Sequence, residues 1–302
     1  MTDGLPLQES TLDPCGTRRD DRDWLRDRWG DPGSRIYTFC GEEILVTPDG
    51  APDPVPDPAL PRDDLPAGDW VFLGTDDRDR AVFATASDGP LPPGRSSGVR
   101  ALGVADAYAD DLAVVVSALG VLNWHRRHPR CPQCGEATEL DQGGWSRVCP
   151  ADASRHFPRV DPAVIMLVTD TLDRALLGRQ SRWPETWFST LAGFVEPGET
   201  LDNTVAREVA EEVGLRVTGA QYRGSQPWPF PSSLMIGFHA TVADGDPVPD
   251  AAEIAEARWF TRDRLADACA AGEVRLPPRF SISRWLIELW FGRELPGDWS
   301  RE

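Results

Sequence analysis

The sequence contains no lysine: all 31 residues counted as Lys or Arg are arginine. That excludes chemistry needing a lysine amine, such as a Schiff base or the phosphate-gripping lysine of a P-loop. Positive charge is scarce altogether, with 49 acidic residues and a formal net charge of −18. So acidic a chain argues against loose binding along a nucleic-acid backbone, though not against a pocket for one end of a nucleic acid. Long apolar runs are also missing. The best candidate, Leu112 to Leu122, is short and ends in Asn123-Trp124-His125-Arg126, so it reads as a packed helix and not a membrane span. The N-terminus lacks the basic-then-apolar order of a secretory signal. A cytoplasmic protein without membrane contact is the expectation. The six cysteines do not crowd a short chain, so no disulfide framework is expected.

What is present suffices for a core, since 40% of the 302 residues are hydrophobic. Residues 1–125 read as a small α+β domain. It holds a charged leader into Trp24-Leu25, a Pro- and Asp-rich loop from Ala51 to Asp69, a hairpin of Trp70–Gly74 with Ala81–Ala86, and a helix from about Asp110 to His125. Residues 126–158 are poor in apolar side chains and carry three cysteines. From residue 159 to the end the pattern turns to strands at Ala163–Val168, Arg174–Gly178 and Ser233–Val242, then an amphipathic helix from Ser281 to Leu295. Strands mixed with a few helices predict an α+β sandwich.

The most informative stretch runs from Gly193 to Leu215. Pro197-Gly198 makes a turn, Glu199-Thr200 opens a helix, and Gly214 is placed to end it as a left-handed cap. Leu201, Val205, Val209 and Val213 form the packing stripe. Glu208, Glu211 and Glu212 share one side of the helix, three and four residues apart. At ~100° per residue Glu212 falls within about 20° of the Leu201–Val205 line, which drives a carboxylate toward the packed edge. Clustered, part-buried carboxylates need partners. Arg207 can neutralise one, such as Glu211, Glu199 or Glu196, and divalent cations can neutralise the rest.

Gly193, Glu199, Arg207, Glu208, Val209, Glu211, Glu212, Gly214 and Leu215 occupy every fixed position of the Nudix box, G-x5-E-x7-R-E-U-x-E-E-x-G-U with U apolar, and the segment resembles that family. The resemblance implies an α/β/α sandwich that hydrolyses nucleoside diphosphates linked to another group. It implies Mg²⁺ or Mn²⁺ on Glu208 and Glu212, with Glu211 as a further ligand or behind them, and Arg207 and Glu199 shaping the loop. Which carboxylate acts as base varies within the superfamily.

A second motif narrows the substrate. In Ser225-Gln226-Pro227-Trp228-Pro229-Phe230-Pro231-Ser232-Ser233, three prolines stiffen a loop that presents two large rings, suited to stacking on a flat base. It resembles the S-Q-P-W-P-F-P-x-S segment of the NADH pyrophosphatases. That resemblance implies hydrolysis of NADH or NAD⁺ to (reduced) nicotinamide mononucleotide and AMP, removal of NAD caps from RNA 5′ ends, and a homodimer. It implies substrate contacts at Gln226, Trp228, Phe230, Ser233, Phe194 and Phe157, the last across the dimer interface, and a further metal ligand at Glu253, with Glu256 the competitor. Trp285, Leu286, Leu289 and Trp290 offer an apolar helix face for pairing.

Cys131-Pro132-Gln133-Cys134 and Cys149-Pro150-Ala151-Asp152 resemble a zinc ribbon whose fourth cysteine is replaced. Asp152 ligates a structural Zn²⁺ through oxygen, His156 does so instead, or the ribbon holds by packing alone. His125 and His128 are read as packing or surface residues. Two readings compete with an NAD(H) diphosphatase. One is a Nudix hydrolase of another diphosphate, such as ADP-ribose or a diadenosine polyphosphate. The other is a nucleotide sensor, which would be expected to have lost box carboxylates that this chain keeps.

Overall fold

The computed structural model describes residues 10–55, 60–87, 89–104 and 109–299. Readings that fall on residues 1–9, and on 56–59 within the Pro-rich loop, lie outside them. The chain divides into two compact units, one of residues 9–160 with 227–232 and one of residues 161–226 with 233–302.

In the first unit α1 (Arg22–Gly30) is capped by Asp21, whose side chain accepts from the Trp24 N–H. A five-stranded sheet follows: β1 (Arg35–Cys40), β2 (Glu43–Leu45), β3 (Trp70–Thr75), β4 (Ala81–Ala86) and β5 (Ser96–Gly98), in the order β3-β4-β1-β2-β5. β1 and β4 run parallel; the other neighbours are antiparallel. The expected hairpin is β3–β4. Leu25 and Trp29 of α1 pack with Ile36, Trp70, Phe72 and Phe83 to form its core. α2 (Val99–Val104) and α3 (Ala109–Arg127) lead to a small antiparallel sheet of β6 (Glu139–Asp141), β7 (Ser146–Val148) and β8 (Arg155–His156). His125 is fully buried at the end of α3, with Nε2 against the Gly144 carbonyl at 2.8 Å and Nδ1 3.1 Å from Arg147; burial lowers its pKa to about 4. It is a packing residue.

The second unit is built on β9 (Asp161–Thr169), β10 (Ala175–Gln180), β11 (Leu191–Phe194), α4 (Leu201–Val213), β12 (Val217–Trp228), β13 (Ser233–Val242), β14 (Ile254–Phe260), α5 (Arg262–Ala270) and α6 (Ile282–Phe291). The sheet order is β12-β13-β9-β10-β14, with β11 also on β9. β9 reads as an unbroken apolar run because both its faces are covered. Alternation sends Val164, Met166 and Val168 into a core with Val205, Val209 and Val213 of α4, and Ile165 and Leu167 into one with Leu265 of α5 and Leu286 of α6. That is the expected α/β/α sandwich. α6 stops at Phe291, four residues before the expected end, because Gly292 takes a left-handed cap at φ 92°. Leu286 and Trp290 face this unit's own core and Trp285 packs against it, which leaves of the expected pairing face only Leu289 exposed. Among the described residues no helix is long and apolar enough to cross a membrane.

Candidate active site and metal centres

The acidic helix forms as its residues dictate. Thr200 caps α4 by accepting from the Asn203 N–H, and Gly214 closes it at φ 69°. The loop before it is fixed by Glu199, whose Oε2 accepts from the Glu196 N–H (3.1 Å) and the Thr204 hydroxyl (2.9 Å). Arg207 is the hub. Its Nε and Nη2 make a fork on Glu199 at 2.8 and 2.9 Å, Nη2 also reaches the Phe194 carbonyl at 2.8 Å, and Nη1 donates to Glu208 at 2.8 Å and Glu211 at 2.9 Å. The guanidinium holds the Glu199 carboxyl down at about 2. Of the partners expected for Arg207, Glu199 and Glu211 are met and Glu208 is added, while Glu196 contributes only its backbone.

One guanidinium thus serves three carboxylates and does not reach the fourth. Glu212 is 4% exposed, and its Oε2 is buried without a hydrogen-bond partner among the described residues. Burial, then the charges of Glu208, Glu253, Asp250 and Glu211, push its pKa up to about 8. Burial likewise raises Glu208. A buried oxygen with no donor, inside a cluster of hard oxygens whose charge exceeds that of its single arginine, fits divalent cations of the Mg²⁺ or Mn²⁺ type. Glu253, just before β14, is electrostatically joined to both buried glutamates. Glu256 is tied to Arg258 and, at 3.4 Å, to Arg179, pairings that lower its pKa against its own burial. Gly193 on β11 explains how Glu208 gets so close to the sheet: a Cβ there would lie 1.8 Å from the Glu208 carboxyl carbon.

The cysteine cluster assembles in the first unit. The Cys131, Cys134 and Cys149 thiols and an Asp152 oxygen all lie within 4.8 Å of one another. Cys134 and Cys149 sulfurs are 3.5 Å apart, too far for a disulfide and near the ~3.8 Å edge of a tetrahedron with 2.3 Å zinc–sulfur bonds. Asp152 is 3.5 Å from the Cys131 sulfur. The Ser154 hydroxyl (2.5 Å) and N–H (2.9 Å) both donate to it and keep its carboxyl well below the usual range. His156 is outside the cluster, its Nε2 3.0 Å from the Ser154 hydroxyl. Three soft donors and one carboxylate fit Zn²⁺.

Two family models match: the NUDIX domain over residues 159–280, and the NADH pyrophosphatase zinc ribbon domain over residues 126–157. The chain is 45% identical over 250 residues to the NAD-capped RNA hydrolase NudC of Mycobacterium bovis, covering 77% of this chain and 78% of that protein. It belongs to the NudC group of Nudix hydrolases. It is also 44% identical over 192 residues to the human NAD-capped RNA hydrolase NUDT12, covering 60% of this chain and 42% of that one. A crystal structure of a NUDIX hydrolase from Nitrosomonas europaea superposes with a TM-score of 0.41 at 23% identity, over 55% of this chain and 95% of that one.

The second motif of this Nudix hydrolase divides by role. Gln226 was expected to touch substrate, but its side chain is fully buried. Nε2 donates to the Phe280 carbonyl at 2.6 Å and Oε1 accepts from the Ile282 N–H at 2.9 Å. It anchors the start of α6 and so braces the loop. Trp228 and Phe230 meet edge-to-face at 5.2 Å, and the Arg100 guanidinium lies 4.2 Å from the Phe230 ring centre, covering one face. Asn123 holds the same loop through the Pro229 carbonyl at 3.0 Å. Ser233 opens β13 opposite Asp161 of β9 and is half-buried. Phe194 and Phe157 are 59% and 62% exposed, rare for large apolar rings. Sequence reasoning missed Asp250, which faces Glu212 electrostatically and orders Glu253 through its N–H, and a cavity beside Glu253. No spacing rule links those loops to the box.

Proposed function

We propose that the protein hydrolyses the diphosphate of NAD(H), giving AMP and (reduced) nicotinamide mononucleotide, and removes NAD caps from RNA 5′ ends. The observation that carries this is the partnerless buried oxygen of Glu212 in a carboxylate cluster served by one arginine. The relatives named as NAD-capped RNA hydrolases support the substrate. Glu208, Glu212 and Glu253, with Glu211 beside them, hold Mg²⁺ or Mn²⁺, which when bound neutralises the diphosphate and acidifies a water. Arg207 and Glu199 fix where those carboxylates point. Water adds to one phosphorus, its proton passes to a carboxylate of the cluster, and the bridging oxygen leaves with the other phosphate. The substrate contacts assigned to Phe194 and Ser233 of the catalytic unit, and to Trp228 and Phe230 of the motif between them in sequence, rest on the resemblance of that motif, as does Phe157 acting from the second copy of a homodimer. Cysteines kept as zinc ligands in the cluster suit a reducing, cytoplasmic compartment.

Purified protein given NADH and Mg²⁺ or Mn²⁺ is expected to release AMP and reduced nicotinamide mononucleotide, and to release neither with chelator. Intact NADH beside a cleaved ADP-ribose or diadenosine polyphosphate would move the substrate assignment; binding of NADH without cleavage of any diphosphate would favour a sensor.

Cys131, Cys134, Cys149 and Asp152 hold one structural Zn²⁺ in this reading. Asp152→Ala is expected to weaken zinc retention by at least ~10–100-fold, measured as metal content after dialysis against graded chelator, while His156→Ala retains it. The reverse ranking would hand the fourth position to His156.

A further inference from the structure

Beside Glu253 lies a cavity of about 360 Å³ lined by Gln180, Ser181, Arg182, Ala252 and Glu253. Its size falls within the ~300–1,000 Å³ of small-ligand sites. Four of its five lining residues are polar, so it suits phosphate and ribose better than a base. Arg182 is the cation of that lining, and among the described residues it meets no carboxylate. Its one hydrogen bond there runs from Nε to the Gln180 Oε1 at 2.9 Å. Gln180 ends β10 and so sits on the sheet, which fixes the base of the guanidinium and leaves its Nη edge free. A free guanidinium edge is the group that takes two oxygens of a phosphate side by side. Glu253, which shares the lining, belongs to the carboxylate cluster electrostatically.

We propose that Arg182, oriented by Gln180, binds a phosphoryl group of the nucleotide substrate in this cavity. The proposal rests on the diphosphatase reading above. The phosphoryl group has two sources, the diphosphate that is cleaved or the first phosphodiester of a capped RNA. Both present the same non-bridging oxygens.

The test uses the full chain, with Arg182→Gln and Arg182→Lys. Three quantities are read: KM and kcat for NADH, the same for an NAD-capped RNA, and the Kd for AMP with Mg²⁺ by calorimetry. Melting temperatures should match wild type, because Arg182 is exposed. Arg182→Gln is expected to raise KM for NADH and the Kd for AMP by about 10- to 100-fold, the scale of a lost charged hydrogen bond. Arg182→Lys should fall between, since it keeps the charge and loses the fork. A rise confined to capped RNA supports the subsite and makes the phosphodiester its ligand. Unchanged KM for both substrates with unchanged AMP affinity overturns it. If wild type cleaves neither substrate, the diphosphatase reading fails by itself. The AMP titration then still decides on Arg182: weaker binding in the variant upholds it, equal binding ends it.

Discussion

Glu212→Gln is expected to lower kcat by at least about 10³-fold while making the metal-free protein more stable. The first half follows from position: Glu212 brings a hard oxygen anion to the centre of the cluster, and an amide brings a neutral one. Removal of a single preorganised donor already costs ~10²–10³ in kcat. The second half follows from linkage. The folded state holds the Glu212 proton up to about pH 8, against an ordinary value of 4.5. A raised carboxyl pKa means the fold prefers the protonated form, so this group's penalty is absent below about 4.5 and grows as the pH rises to about 8. Gln mimics the protonated form at every pH. In chelator, the melting temperature of wild type should therefore fall between pH 5 and pH 8 more steeply than that of the variant, leaving Glu212→Gln ahead by roughly 5 °C or more at pH 8. Adding Mg²⁺ at pH 8 should raise wild type and leave the variant nearly unmoved. Parallel melting curves for the two proteins across that range would refute the linkage. Such an exchange of stability for activity is ordinary at catalytic sites.

How much of this was legible depends on where each signal lives. The box helix was legible nearly to the residue because its cap, stripe and left-handed stop are local: Thr200, Val205 and Gly214 do in the structure what their types predict. Glu212 was placed at the packed edge by helical phase alone, and it is buried. β9 was legible because both faces are apolar. β12 and β14 were not, since β12 is an edge strand with long exposed stretches and β14 reads Ile-Ala-Glu-Ala-Arg-Trp-Phe without clean alternation. α6 ends short of the expected Leu295 because Gly292 takes a left-handed cap where the apolar periodicity continues. Gln226 shows the limit of motif reading. A fixed position in a substrate-associated segment looks like a contact, yet a buried amide satisfied at both ends is what a rigid loop also needs. The fourth ribbon position is the opposite case. Spacing leaves Asp152, His156 and neither open; in the fold the Asp152 carboxylate lies among the thiols and His156 outside them, with the Ser154 hydroxyl bonded to both, and zinc retention in the two variants decides.

Gly193→Ala is the sharpest test of whether the site or the fold demands this glycine. β11 is paired to β9 with Gly193 opposite Val164, so its backbone cannot retreat. The added methyl would lie 1.8 Å from the Glu208 carboxyl carbon and 1.9 and 2.2 Å from its two oxygens. Those atoms are the end of a flexible side chain, so the clash is relieved by swinging Glu208 aside, at a stability cost near the low end of the ~1–3 kcal/mol of overpacking. The site has no such freedom. The swing breaks the 2.8 Å bond from Arg207 and removes one of the two buried carboxylates from the cluster. The expected result is a near-native melting temperature with kcat down by about 10²-fold or more, the size of effect a misplacement of about 1 Å produces. Gly198→Ala gives the contrast: φ is 96° with nothing within 4 Å of the new Cβ, so it should cost stability through backbone strain and change turnover less. In a Glu208→Ala background Gly193→Ala should cost nothing further in activity, because the group it displaces is gone. Wild-type turnover in the single variant would mean that Glu208 works from another position, and the metal-ligand assignment would fall with it.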